Sequence, residues 1–362
     1  MKVPSSLPAL RLEDLDFDLP AALVAQRPPA QRDACNLLRL RRTPRSIDVH
    51  RFADLPALLR PGDLLVRNTS RVIPARLAAR RADTRGRCEI LLVEPDAGGG
   101  WWVMARPARA LRPPMRLHLA DQSEVQIVAA GEGGRRLVEF APGTDVLRLA
   151  ERLGAVPLPP YIRRAAEVVD RESYQTVYAR QDGSVAAPTA GLHFTPALFD
   201  ALADRGIDCV DLVLHIGPGT FAPLRCADPR FHPMHWERFE VEHRVLERCA
   251  RARETGGRVI AVGTTAARVL ESVALWQAGE AADSLEIEDT GTALCGRTRL
   301  LIFPPYAFRS VQVLLTNFHL PRTTLLLLVD AFAGRAAIRA AYAEAVARQF
   351  HFFSYGDAMM IE

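Results

Sequence analysis

The chain has 362 residues, 49% of them hydrophobic, enough to bury a full core and, by length, to form about two domains. No run reaches the roughly 18 uninterrupted apolar residues of a membrane span, since Leu325–Val329 stops at Asp330. Glu13, Asp14, Asp16 and Asp18 crowd the start, where a signal peptide would be apolar, so a cytoplasmic location is expected. Cys35, Cys88, Cys209, Cys226, Cys249 and Cys295 lie far apart with no C-x-x-C. That spacing argues against a zinc ribbon, an iron–sulfur cluster or a disulfide framework, and for small buried thiols.

The formal net charge is only +4, but it is unevenly spread. Every basic residue except Lys2 is arginine, and Arg60 to Arg116 carries twelve arginines against five acids, a local balance of +7. A basic module on a slightly acidic body points to a polyanionic partner or, on the bland reading, to a solvated charged face.

In chain order, a helix is expected at Pro20–Ala25 and a strand at Leu37–Leu40. Residues 62 to 142 then read as short strands at 63–67, 76–81, 88–93, 101–105, 115–119, 125–129 and 137–140, broken by Gly98-Gly99-Gly100, Pro113-Pro114 and Gly131–Gly134. Strand-length segments at that spacing predict a small β-barrel. Beyond Val146 the pattern alternates: helix from Pro196 to Arg205 closed by Gly206, strand 210–215, helix 243–255, strand 258–262, helix 265–278, strand 311–318, and helices 323–332 and 336–349. The expected fold is therefore an α/β domain with a substantially parallel sheet, discontinuous over 1–61 and 151–362, with residues 62–150 inserted as the barrel.

The polar loops fall at strand and helix ends. Gly183–Thr195, containing Thr189, Gly191 and His193, is rich in small residues that let a ligand approach the backbone. His215 opens His-Ile-Gly-Pro-Gly-Thr-Phe, with Gly217 and Gly219, at the end of a strand, where open α/β sheets bind ligands. Met234-His235-Trp236-Glu237 follows; His232 and His235 could read as a metal pair, but no third ligand is evident and no metal is expected. Gly263-Thr264-Thr265 joins a strand to a helix start and makes an anion cradle, without the glycine pattern of a dinucleotide or nucleoside-triphosphate site. Thr316-Asn317-Phe318-His319 places amide, hydroxyl and imidazole at another strand end. For each lone histidine the structural alternative is a buried, satisfied side chain; several such loops together favour a site.

Taken together these blocks resemble the S-adenosylmethionine:tRNA ribosyltransferase-isomerase family of queuosine biosynthesis. The match is carried by Asp16–Pro20, Gly62–Leu65, Arg71–Leu77, Pro157–Ile162, Tyr174–Ala179, Gly183–Thr195, the His215 and Gly263 loops, Thr316–Pro321 and Phe352–Met359. The resemblance implies an α/β domain with an inserted β-barrel. It also implies transfer and isomerisation of the ribosyl part of S-adenosylmethionine onto 7-aminomethyl-7-deazaguanine at wobble position 34 of tRNA. The product would be epoxyqueuosine, with release of adenine and methionine. Its tRNA partners would have GUN anticodons (Asp, Asn, His and Tyr acceptors); S-adenosylmethionine would be a co-substrate, with no prosthetic group, metal or membrane, and the chain a monomer. The sulfonium acidifies the ribose C5′ protons, so a positioned base suffices, and the scattered cysteines argue against the radical use of the same molecule.

On that resemblance, His193 first and then His215, His235 and His319, with Glu237, are expected to carry the chemistry. Thr189, Gly191, Gly217, Gly219, Gly263, Thr264, Thr265 and Asn317 are expected to hold the co-substrate, and Arg71, Arg76, Arg80 and Arg81 the RNA. The chain departs from the family pattern at Asn68-Thr69-Ser70 (usually Asn-Asp-Thr), Trp236 (usually Ser), Arg299 (usually Asp) and Pro305 (usually Gly). The alternatives are a non-catalytic RNA-binding paralogue using the basic barrel, and an ordinary methyltransferase, which should carry a glycine-rich first loop that is not found.

Overall fold

The computed structural model describes residues 10–221, 224 and 226–362. Strands β1 (Asn36–Arg42), β2 (Arg45–Arg51), β3 (Leu64–Asn68) and the short β4 (Ser70–Val72) come first. Next are β5 (Arg76–Arg81), β6 (Arg87–Pro95), β7 (Trp101–Arg106), β8 (Met115–Leu119), β9 (Glu124–Ala130) and β10 (Arg135–Phe140). The remainder are β11 (Gln181–Ser184), β12 (Asp208–Leu214), β13 (Glu237–Glu242), β14 (Val259–Val262), β15 (Leu285–Asp289), β16 (Ala293–Thr298), β17 (Val313–Asn317) and β18 (Ala358–Ile361). The helices are α1 (Leu55–Leu58), α2 (Val146–Leu153), α3 (Asp170–Ser173), α4 (Pro196–Ala203), α5 (His243–Glu254), α6 (Gly263–Gln277), α7 (Thr324–Ala333) and α8 (Arg335–Ala347).

β5 to β10 close an antiparallel barrel in the order β10-β7-β6-β5-β8-β9. Alternate residues point inward along each strand; in β6 these are Cys88, Ile90 and Leu92, all buried. Val146, Leu149 and Ala150 of α2 join the same core, so that helix belongs with the barrel. The chain enters and leaves side by side, with Arg76 N bonded to Ala155 O at 3.2 Å and Ala155 N to Arg76 O at 2.9 Å.

The other strands form a ten-stranded sheet, ordered β15-β16-β13-β12-β3-β14-β17-β18-β1-β2. β12, β3, β14 and β17 are mutually parallel. They read as near-continuous apolar runs because both faces are covered. In β14, Val259 and Ala261 enter one core with α5 to α8, while Ile260 and Val262 enter the other with Phe194, Leu198 and Leu202.

The α/β class with a barrel holds as expected, but three details differ. The strand expected at 63–67 opens no barrel: β3 sits at the centre of the large sheet between β12 and β14. On this pairing we propose residues 75–154 as the inserted unit, in place of 62–150. The sheet is mixed rather than substantially parallel, because β13, β15 and β16 extend it antiparallel and β17 meets β18 antiparallel. The helix expected at Pro20–Ala25 is one 3₁₀ turn, Ala21–Leu23. Leu23 O and Ala25 N are spent on the backbone of Phe352, at 2.7 and 3.3 Å, and so cannot continue a helix.

Candidate active site

The parallel strands β12, β14 and β17 deliver their carboxyl ends to one side of the sheet. There Ile216, Gly263, Thr264, Thr265, Thr316, Asn317 and His319 line a cleft that opens to solvent, bordered by Ala187–Ala190, Thr220, Leu325, Phe353 and Ser354. Open α/β sheets bind ligands in this position. Among the described residues, the lining holds no acidic residue, lysine or arginine.

α6 starts on the cleft wall directly after β14, with Val262 at its cap and no side chain closing it. Its first N–H groups lack intrahelical acceptors and carry the positive end of the helix dipole. Gly263 takes φ +90°, a conformation that disfavours a side chain. Thr265 Oγ1 and Asn317 Oδ1 are both buried with no hydrogen-bond partner among the described residues. An unmet buried polar atom costs about 1–3 kcal/mol, so two in one cleft mark a place shaped for a ligand's own polar atoms.

Each sequence-predicted residue has a definite place. Thr189, Gly263, Thr264, Thr265, Asn317 and His319 all line the cleft. Gly191 does not; a Cβ there would lie 2.0 Å from Tyr178 Oη, so its missing side chain serves packing, not ligand approach. Gly219 is likewise packed against His235, with a Cβ falling 2.2 Å from Cδ2, and His235 itself is exposed. Gly217 N donates to Glu237 Oε1 at 3.0 Å, as does Thr220 Oγ1 at 3.1 Å. Glu237 Oε2 meets Arg268 Nη1 at 2.5 Å, both side chains being buried. Glu237 is thus spent shaping the 217–220 loop that borders the cleft.

His193 is buried with Nδ1 3.1 Å from Cys35 Sγ and Nε2 3.1 Å from Asn317 Nδ2. Burial lowers its pKa from 6.5 to about 4, so the ring is neutral and both nitrogens are engaged. His319 Nε2 lies 3.0 Å from Thr316 Oγ1, and burial lowers that pKa to about 3. His215 is outside the cleft; its Nδ1 is 2.8 Å from Ser70 Oγ, which is 2.6 Å from Ser184 Oγ. Burial lowers His215 to about 4, and the ring borders a separate open concavity with Arg238, Glu240 and Arg297.

The four arginines expected on RNA are not equivalent. Arg71 lies on β4, outside the barrel, and pairs with Glu151 at 3.1 Å and Asp182 at 2.8 Å. Arg76 pairs with Glu89 at 3.2 Å and Arg81 with Asp83 at 2.6 Å. Arg80 is exposed and, among the described residues, reaches only the Arg85 carbonyl, at 3.3 Å.

A family model described as "Queuosine biosynthesis protein" matches residues 12–361. The chain belongs to that family. Its relatives include the S-adenosylmethionine:tRNA ribosyltransferase-isomerase of Anaeromyxobacter dehalogenans (strain 2CP-C), 48% identical over 97% of this chain and 99% of the relative. That of Thermotoga petrophila is 43% identical over 97% and 100%. The crystal structure of S-adenosylmethionine tRNA ribosyltransferase from Thermotoga maritima aligns with TM-score 0.54 and 35% identity, over 96% of this chain and all of that one. The chain is accordingly an enzyme, of the transferase/isomerase kind that these relatives' names describe. No described helix is long and apolar enough to cross a membrane.

Two departures from the family pattern are coupled: the Arg299 guanidinium stacks over the Trp236 ring, 4.7 Å from its centroid, alongside Arg297 at 4.9 Å. Thr69 and Ser70 are buried, and Thr69 Oγ1 donates to Leu212 O at 3.2 Å, so no carboxylate is needed there to satisfy the backbone. Arg268 was not singled out by sequence, Cys35 was read only as one of six small buried thiols, and Ser70 only as part of a departure from the family pattern. For Arg268 a signal existed: it is a lone arginine in the otherwise apolar helical run Ala266–Leu270.

Proposed function

We propose that this enzyme holds S-adenosylmethionine in the strand-end cleft and transfers its ribosyl part, with isomerisation, onto 7-aminomethyl-7-deazaguanine at position 34 of tRNAs with GUN anticodons. Epoxyqueuosine forms, and adenine and methionine leave. The observation that carries the reading is the cleft itself, where an uncapped helix start and two unmet buried polar atoms meet among described side chains free of carboxylates, lysine and arginine. A nucleoside sulfonium offers the matching groups: neutral ring and ribose atoms for Thr265 and Asn317, and acceptors for the helix N–H groups.

No metal or prosthetic group enters this reading. Among the described residues no cluster of His, Cys, Asp or Glu could hold an ion. Of the five groups expected to move protons, His319 is the one that lines the cleft, and we assign the proton traffic near C5′ to its neutral imidazole. The barrel, with exposed Arg80, Arg85, Arg87 and Arg106 outside any ion pair among the described residues, is the proposed grip on the tRNA backbone.

The test is adenine release under single-turnover conditions with tRNA carrying the precursor base. Wild type should release adenine only when tRNA is present. His319→Gln should slow release by about 10²- to 10⁴-fold, the usual worth of a general acid/base. A rate within threefold of wild type would remove His319 from the chemistry.

A further inference from the structure

Asn317 closes β17 and is only 2% exposed. Its Nδ2 donates to the Phe353 carbonyl at 2.9 Å and faces His193 Nε2 at 3.1 Å, which uses both amide hydrogens. Turning the amide over would set Oδ1 against the Phe353 carbonyl oxygen and the accepting His193 Nε2, so these two acceptors together hold its orientation. Because Nε2 accepts, the ring hydrogen sits on Nδ1, on the side of Cys35 Sγ at 3.1 Å, and the ring also meets the Arg32 backbone. Burial keeps that ring neutral and pushes the Cys35 thiol up, so neither group carries charge near pH 7. What remains is Oδ1, an atom that can only accept. It is buried, unpartnered among the described residues, and belongs to a side chain lining the cleft.

We infer that Cys35 and His193 form a positioning relay that presents Asn317 Oδ1 as a preset acceptor for an N–H or O–H donor on the neutral nucleoside part of the co-substrate. This rests on the reading that the cleft holds S-adenosylmethionine. The nucleoside is favoured over the amino-acid end because the described lining offers a zwitterion no counter-ion side chain. Two parts of the nucleoside carry such a donor, the adenine amino group and the ribose hydroxyls. His193, expected from sequence to be first among the proton carriers, is on this account a positioning residue set behind Asn317.

The experiment is calorimetric titration of the full chain with S-adenosylmethionine and three analogues: the 6-oxo analogue lacking the amino donor, the 2′-deoxy and the 3′-deoxy forms. One analogue should bind wild type about 3- to 10-fold more weakly than the parent, the value of one hydrogen bond to a fixed acceptor. Which one does so identifies the donor. His193→Leu removes one of the two acceptors that hold the amide and leaves one of its hydrogens unmet, so Oδ1 is held by the Phe353 contact alone and the penalty for that analogue should fall to within about twofold. His193→Gln, whose amide oxygen can still accept from Asn317, should keep most of it. A purely structural role would change all four affinities together and leave the ratios intact. The inference is overturned if no analogue is discriminated by wild type, or if His193→Leu discriminates as wild type does. The wild-type series needs no variant to fold. Leu325→Trp, which fills the cleft, separates the two readings. If it abolishes binding while the analogues are not discriminated, only the relay fails; if it leaves binding unchanged, the cleft assignment fails and the relay with it.

Discussion

Replacing Thr265 with valine keeps the side chain near its present volume and removes one hydroxyl. That hydroxyl is buried at the cleft wall with no partner among the described residues. Leaving it unmet costs the free protein about 1–3 kcal/mol, so its removal should stabilise the fold. With an unfolding entropy of about 2.1 cal/mol/K per residue, a chain of 362 residues should melt about 1–4 °C higher. Affinity should move the other way. If the hydroxyl bonds to S-adenosylmethionine, the variant loses about 0.5–1.5 kcal/mol of net hydrogen-bond energy, which weakens binding about 2- to 13-fold. Differential scanning calorimetry of the free variant and isothermal titration with the co-substrate measure the two halves separately. A higher melting temperature with weaker binding is the signature of a polar atom kept for a ligand. A lower melting temperature with unchanged affinity would refute the reasoning and make Thr265 an ordinary core residue.

Other consequences follow from the same geometry. Glu237→Gln leaves Arg268 buried without its counter-charge and should destabilise the fold by about 3–5 kcal/mol, read as a fall in urea midpoint with unchanged slope; an unchanged midpoint would mean that the pair is not intact. His193, His215 and His319 are lowered to about 4, 4 and 3 from an ordinary 6.5, so the stability they contribute is full above pH 6.5 and is lost as pH falls toward 4. Asp330 opposes them: burial raises it from 3.8 to about 6, so its contribution is present below pH 3.8 and lost as pH rises through 6. Asp330→Asn should therefore stabilise the protein at pH 8 by up to about 3 kcal/mol and by little at pH 4, compared by thermal melts at both values. Arg80→Ala with Arg106→Ala should flatten the plot of log K for tRNA against log salt by about 1.5 units, whereas Arg71→Ala with Arg76→Ala, already neutralised by Glu151, Asp182 and Glu89, should change it less. Equal slopes in the two double variants would make the barrel arginines a solvated face.

The barrel strands were legible because inward residues such as Cys88, Ile90 and Leu92 alternate and Gly or Pro breaks each strand. β3 was legible as a strand but not as a member of the large sheet. Its partners β12 and β14 lie more than a hundred residues away, and sequence pattern does not encode pairing. The Gly263–Thr265 and Thr316–His319 walls of the cleft could be read as strand ends carrying polar groups. The division of labour among the histidines could not. His193 stands in a small-residue loop as a catalytic residue would. It acts through Asn317, 124 positions on, and Cys35, 158 positions back. The ion pairs that occupy Arg71 span 80 and 111 positions and leave no local trace. Glu237 looked available in a histidine-rich loop, but its charge is used by Arg268 from α6.

The most direct test follows two labels through one reaction. S-adenosylmethionine is supplied with one isotope in the ribose and another in the S-methyl group, together with tRNA bearing 7-aminomethyl-7-deazaguanine. The account predicts that the ribose label enters the tRNA while the methyl label leaves with free methionine, in step with adenine release. Methyl label in the tRNA with S-adenosylhomocysteine as the by-product would make the chain a methyltransferase, and tRNA binding with neither label transferred would make it a non-catalytic RNA-binding protein; either contradicts the account.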